Sequence, residues 1–288
     1  MDAVTSAVAG QQILVDVMQW LLWALPLGLL AHQWFGERVV SLAGWDGRPR
    51  PGMPVDVVDV AVAVGLVFLL RGHLTAMTPA EPGSPVRALR ASDVTAAAAA
   101  SMVLWLLLLM YLRGLRQRGL TAWFGLPDAR RLLSLVPMAL IWTVLGGALV
   151  YGVAWVFEHR VWVPMGFEPE AQDTVQALAG GGSPLVRVLI VVFACGVAPV
   201  VEETVFRGFL YPTLRQFADA PFAALFTAVL FGAVHGSLTA LVPLAVLGVV
   251  LVLAYEWSRG LALPIAIHAL FNLATAVSLW TSGPAPTS

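Results

Sequence analysis

The stretch VLIVVFACGVAPVVEETVFRGF, residues 188–209, decides how this chain is read. It begins as an uninterrupted apolar run. It then places Glu202, Glu203 and Arg207 within six residues. A charged side chain near the centre of a bilayer costs at least ~2.5–3.5 kcal/mol, so ionisable groups inside spans face a bundle interior and pair with one another. If the run crosses a membrane, these three residues need a reason.

The composition says that it does. The 288 residues are 59% hydrophobic and 11% charged, with a mean hydropathy of +0.84. A soluble domain carries about 25% charged residues. The expectation is an all-α, polytopic transmembrane helix bundle. A net charge of −1 gives no sign of nucleic-acid binding. Cys195 is the only cysteine, which excludes an intramolecular disulfide and a cysteine-rich metal site. The N-terminus MDAVTSAVAG lacks a basic n-region, so signal cleavage is not expected.

A spanning helix needs ~20 mostly apolar residues, and on that measure the chain holds about eight candidates. They run Ile13–Trp34, Val55–Leu70, Thr95–Leu112, Leu133–Phe157, Leu185–Val201, Pro221–Val234, Leu238–Trp257 and Leu261–Trp280. The second is short and could extend toward Met77. Between the third and fourth, RGLRQRGLTAWFGLPDARR is basic with Trp123 and Phe124 among the charges, which suits an interfacial segment. Residues 1–132 then form an N-terminal set of spans of unassigned role, and residues 133–288 a core with the polar motifs between 200 and 275. Arginine-rich loops after spans one (Arg38, Arg48, Arg50) and three favour one face as cytoplasmic, although Arg71, Arg87 and Arg90 argue the other way.

Partners for the glutamates come from two later spans. FGAVH sets Phe231 and His235 four apart, and HALFN sets His268 and Asn272 four apart. Four residues is one helical turn, so each pair shares a face, as do Glu203 and Arg207. Glu202 is rotated by ~100° from Glu203. Glu203 with Arg207 reads as an i,i+4 ion pair. Glu202 has no cation at that spacing and is the better general base. His268 and Asn272 offer N–H donors suited to an oxyanion. A shared site requires span five to run on past Glu202, to about Leu210, and span six to run on past His235.

The order Glu-Glu-x-x-x-Arg, Phe-x-x-x-His, His-x-x-x-Asn resembles the CPBP family, the type 2 CAAX prenyl endopeptidases and their bacterial relatives, also called the Abi family. The likeness covers roughly residues 185–280, a third of the chain. It implies an intramembrane endopeptidase acting on a membrane-associated protein or peptide. It implies that Glu202 activates water with His235, and that His268 and Asn272 hold the oxyanion, with Glu203 in the catalytic set and Arg207 and Phe231 in support. The family is often described as metalloproteases. Glu202, Glu203, His235 and His268 are the residues that could hold a divalent metal such as zinc, but the zincin signature H-E-x-x-H is absent. A metal-free, glutamate-activated water is the competing description. A bacterial cytoplasmic membrane is the expected location.

Two other classes fit the same residues. One is a non-proteolytic scaffold or immunity protein that binds a partner through the polar pocket. The other is a proton or solute pathway, against which the lack of an inverted repeat speaks. Elsewhere bland roles suffice. His32, His73 and His159, with Asp16, Asp56 and Asp59, read as interfacial. Trp20, Trp23, Trp34, Trp105 and Trp280 read as lipid-facing or interfacial. Pro199, three residues before Glu202, is expected to kink span five.

Overall fold

The computed structural model describes residues 10, 12–14, 16, 17, 19, 56–76, 89–117, 119–167, 173–181 and 183–282. Among them there are helices and turns but no strand. Most of the first expected span, with His32, Trp20, Trp23 and Trp34, lies outside the described residues, as do Arg38, Arg48, Arg50 and Arg87.

The helices are α1 (Val57–Ala76), α2 (Ala91–Met110), α3 (Leu120–Phe124), α4 (Ala129–Phe157), α5 (Pro184–Leu214), α6 (Ala220–Ala233), α7 (Leu238–Ser258) and α8 (Ala262–Ser282). Among the described residues, five are long and apolar enough to cross a membrane: α2, α4, α5, α7 and α8, the first two lengthened by a π-helical turn at their C-terminal ends. Their outward faces are oily. Met110 on α2 and Leu133 and Val144 on α4 are each about two-thirds exposed or more, which a bilayer tolerates and water does not. The protein is an integral membrane protein.

Three boundaries differ from the spans as first drawn, two of them in the direction the sequence analysis allowed. Helix α1 does extend, to Ala76. Asp56 caps it by accepting from Val58 N at 2.9 Å, and Asp59, expected at an interface, is fully buried. Helix α5 passes through the glutamates and continues to Leu214, so the charges sit inside the span. Helix α6 is only 14 residues long and stops at Ala233, before His235. That length suits a buried core helix better than a crossing, and nine of its residues are buried.

By contact the chain forms two units, with α4, α5 and α7 contributing residues to each. The first comprises Met1–Ser84, Leu149–Glu170 and Phe209–Val252. In it α6 starts on Asp219, whose carboxylate accepts from Phe222 N at 2.8 Å. Helices α6 and α7 approach closely through small residues, since a Cβ on Gly248 would lie 2.8 Å from Ala228 Cα. The turn between them uses Gly236 at φ 72°, and Ser237 Oγ then accepts from Ala240 N to start α7.

The second unit comprises Pro85–Ala148, Ala171–Gly208 and Leu253–Ser288. Its core gathers Val94 of α2, Val186 and Ile190 of α5, Ala276 of α8, and Ala177 and Leu178 of a short helical segment. Here the aromatics of the expected interfacial segment pack against protein. Trp123 and Phe124 are buried, each 5% exposed. Trp123 Nε1 donates to Gly208 O at 2.8 Å, and Phe124 O accepts from Leu261 N at 2.9 Å. Gly125, at φ 59°, follows them, and a Cβ there would overlap the Arg259 carbonyl oxygen. Aromatics between arginines look the same in sequence whether they meet lipid or protein.

Candidate active site

Helix α5 owes its shape to interruptions. Ser183 caps it and Pro184 opens it, as suits a first turn. Its ladder then loosens through a π-helical turn at Phe193–Val197. There Ala198 N–H bonds to Phe193 O, five residues back instead of four. Ala194 O therefore loses Ala198 as its donor, and the next residue, Pro199, has no N–H to give. A bare carbonyl in hydrocarbon costs several kcal/mol. Asn272 of α8 meets it: its Nδ2 donates to Ala194 O at 2.7 Å. Pro199 thus directly follows the π-helical turn, and the carbonyl left without a backbone donor there is met by Asn272, a bond that the sequence did not reveal.

One turn from Asn272 on α8, His268 makes the second link to α5. Its Nδ1 lies 3.0 Å from Glu203 Oε1, and Arg207 Nη1 lies 2.9 Å from the same oxygen. Glu203, Arg207 and His268 are 0, 1 and 3% exposed. Since the carboxylate accepts from both, Nδ1 carries a proton and Nε2 is the ring's second working atom. That Nε2 is 3.9 Å from Glu202 Oε2, too far for a direct hydrogen bond but close enough for both to hold one oxygen atom. The Glu202 side chain keeps 30% exposure where Glu203 has none. Of the two carboxylates, Glu202 is the one whose side chain is partly open to another molecule, although its Oε2, the atom facing His268, is itself buried.

Thr204 stiffens the same turn. Its hydroxyl donates to Val200 O at 2.7 Å and accepts from Trp105 Nε1 of α2 at 3.1 Å. Trp105, half-buried, is therefore a hydrogen-bonded support to α5. Nothing in its sequence neighbourhood, AAAAASMVLWLLLLM, marks it out.

The second unit thus brings together Glu202, Glu203, Arg207, His268 and Asn272. Phe231 and His235 belong to the first unit and hold each other. His235 Nδ1 donates to Phe231 O at 2.7 Å, and the two rings stack edge to face at 4.8 Å. The hydrogen bond fixes the imidazole tautomer, with the lone pair of a neutral ring on Nε2.

The donors in the second unit do not fit a catalytic metal centre, which takes three protein ligands around an open position. Glu203 Oε1 and His268 Nδ1 are spent on each other, beside a guanidinium that repels a cation. Among the described residues no three His, Cys, Asp or Glu side chains gather as a metal site would need.

Residues 184–274 match the family described as Rce1-like: type II CAAX prenyl endopeptidase Rce1-like. That segment contains all three motifs. Over that segment, about a third of its length, the chain resembles this CAAX-protease (CPBP) family. Over 144 residues it is 25% identical to "Putative membrane peptidase YdiL" of Bacillus subtilis (strain 168), covering 48% of this chain and 55% of that protein. The chain thus spans about half the length of that curated relative. No solved structure matches it.

Proposed function

We propose that the chain is an intramembrane endopeptidase that hydrolyses a peptide bond of a membrane-associated protein or peptide. The observation that carries this reading is the buried set Arg207–Glu203–His268, which aims His268 Nε2 at the more exposed Glu202. The family match and the relative's name support the reaction class. A bacterial cytoplasmic membrane is the proposed location, in keeping with the Bacillus relative.

In the proposed reaction Glu202 accepts a proton from water as the water oxygen bonds to the scissile carbonyl carbon. The C=O π electrons move to oxygen, giving a tetrahedral oxyanion. Collapse restores the carbonyl and breaks the C–N bond, and the proton returns through Glu202 or His268 Nε2 to the departing nitrogen. Asn272 spends one amide N–H on Ala194 O, so its other N–H is the donor for the oxyanion. His268 joins it when Nε2 is protonated. Glu203 and Arg207 hold the imidazole in place. His235 enters as the partner of Glu202 in water activation on the resemblance of its motif alone.

The test is cleavage of a membrane-peptide library by the purified protein in detergent, read by mass spectrometry. Wild type should cut, Glu202→Gln should not, and activity should survive a strong chelator. Loss in chelator would replace the glutamate–water mechanism with a metal-dependent one. A folded wild type that cuts nothing but binds a partner through Glu202 would replace the enzyme with a scaffold.

A further inference from the structure

A second feature lies where α5 begins and α8 ends. In the first turn of α5 the Arg187 guanidinium sits 4.0 Å from the centre of the Trp280 ring. Arg187 Nε is buried with no hydrogen-bond partner, and no carboxylate pairs with this arginine among the described residues. Cations at spans ordinarily find a counter-charge. Beside it opens a groove of about 350 Å³, walled by Val188, Val191 and Val192 of α5 and Leu273, Ala276 and Val277 of α8. That is the lower end of the ~300–1,000 Å³ typical of small-molecule sites. Val188, Val192 and Val277 are about half exposed, so the groove is open along its length.

We propose that this is a binding site for one anionic phospholipid, with its phosphate on Arg187 and an acyl chain in the groove. The chemistry is complementary at both ends. Arg187 and Trp280 stand at span ends, the depth at which headgroups and aromatic belts meet. A guanidinium is suited to phosphate. From there the groove runs along the two helices toward the hydrocarbon centre and offers only apolar wall, which suits a chain and not a soluble anion. It ends beside the Asn272–Ala194 bond, since Leu273 follows Asn272 and Val192 lies two residues before Ala194. A bound chain therefore packs on the helix pair that holds the Asn272 amide. The proposal stands apart from the proteolytic reading and needs no activity to test.

The experiment exposes the detergent-purified full chain to equal amounts of dioleoyl phosphatidylglycerol and dioleoyl phosphatidylcholine and counts retained lipids by native mass spectrometry. Wild type should retain one phosphatidylglycerol in preference. Arg187→Gln should lower that preference about fivefold, the worth of one basic residue against an anionic lipid. Val277→Trp, which fills the groove from an exposed position, should lower retention of both lipids. Millimolar inorganic phosphate should not displace the lipid. Equal retention of the two lipids by wild type would overturn the proposal, as would an unchanged preference in Arg187→Gln. Displacement by phosphate would reduce the site to an adventitious anion site. If Arg187→Gln unfolds, the Val277→Trp arm and the phosphate arm still decide it.

Discussion

The buried Glu203–Arg207 pair should behave as a closed electrostatic unit, and a double-mutant cycle would show it. The two side chains are 2.9 Å apart and essentially without exposure. At that separation the Coulomb attraction is about 6 kcal/mol for an effective dielectric of ~20, while desolvation costs several kcal/mol for each ion. The net worth of the pair is therefore small, but the cost of halving it is not. Arg207→Met leaves Glu203 buried with only the His268 bond, and Glu203→Leu leaves a buried guanidinium. Each should cost about 3–5 kcal/mol, with Arg207→Met at the lower end because His268 remains. The double variant should lie only about 1–3 kcal/mol below wild type, since apolar replacement of the whole ion pair is close to neutral and the remaining cost is the buried His268 Nδ1 left without its Glu203 acceptor. Stability would be read by SDS titration in mixed micelles, following tryptophan fluorescence. Single costs below about 1 kcal/mol that simply add in the double variant would mean that water reaches the pair, and the argument from burial would fail.

Trp123→Phe should destabilise by about 1–3 kcal/mol, because it strips the donor from the buried Gly208 carbonyl; an interfacial tryptophan at that position would show almost no change in the same titration. Gly125→Ala should abolish the folded yield, judged by size-exclusion in detergent, because its Cβ meets the Arg259 carbonyl and its φ is 59°. Gly119→Ala, where a Cβ meets nothing within 4 Å, should be silent in that assay. Asn272→Leu should cost about 1–3 kcal/mol by orphaning Ala194 O, and the cost should at least halve in a Pro199→Ala background, where residue 199 regains an N–H to offer. Equal costs in the two backgrounds would show that Pro199 is not the reason for the Asn272 bond.

What the sequence carried was what helix geometry alone decides. The four-residue spacings of Glu203 with Arg207 and of His268 with Asn272 fix shared faces before any packing is known, and the ion pair follows from the first. Apolar runs placed the long spans. What failed were the features set by tertiary contact. The apolar run in α5 looks finished at Val201 because a proline, Pro199, lies just before it and three charges follow. The helix continues because the π-helical turn and Asn272 absorb the missing bond, and because the charges are met at Glu203. The reverse holds for α6. Its apolar pattern runs through Val234, but the chain turns at Gly236 with a positive φ, leaving His235 outside the helix. The His268–Glu203 bond joins residues 65 apart, and no local pattern predicts which nitrogen takes it.

Those long-range bonds do more than position chemistry. On α8, His268 and Asn272 are one turn apart, and they grip α5 at residues 203 and 194. The order is reversed along the two helices, so the rungs fit only antiparallel neighbours in one register. Lipid provides little hydrophobic drive between helices, so packing and polar contacts must set the alignment. Sliding α8 by one turn would forfeit both rungs, exposing a carbonyl at 194 and a half-paired carboxylate at 203 to an apolar surround. The penalty for each is larger than the contribution of the bond itself. A weakened helix ladder just ahead of the glutamates is therefore a specification as much as a defect: the carbonyl released at Ala194 is the acceptor that fixes where His268 meets Glu203, and hence which carboxylate, Glu202, is left facing outward.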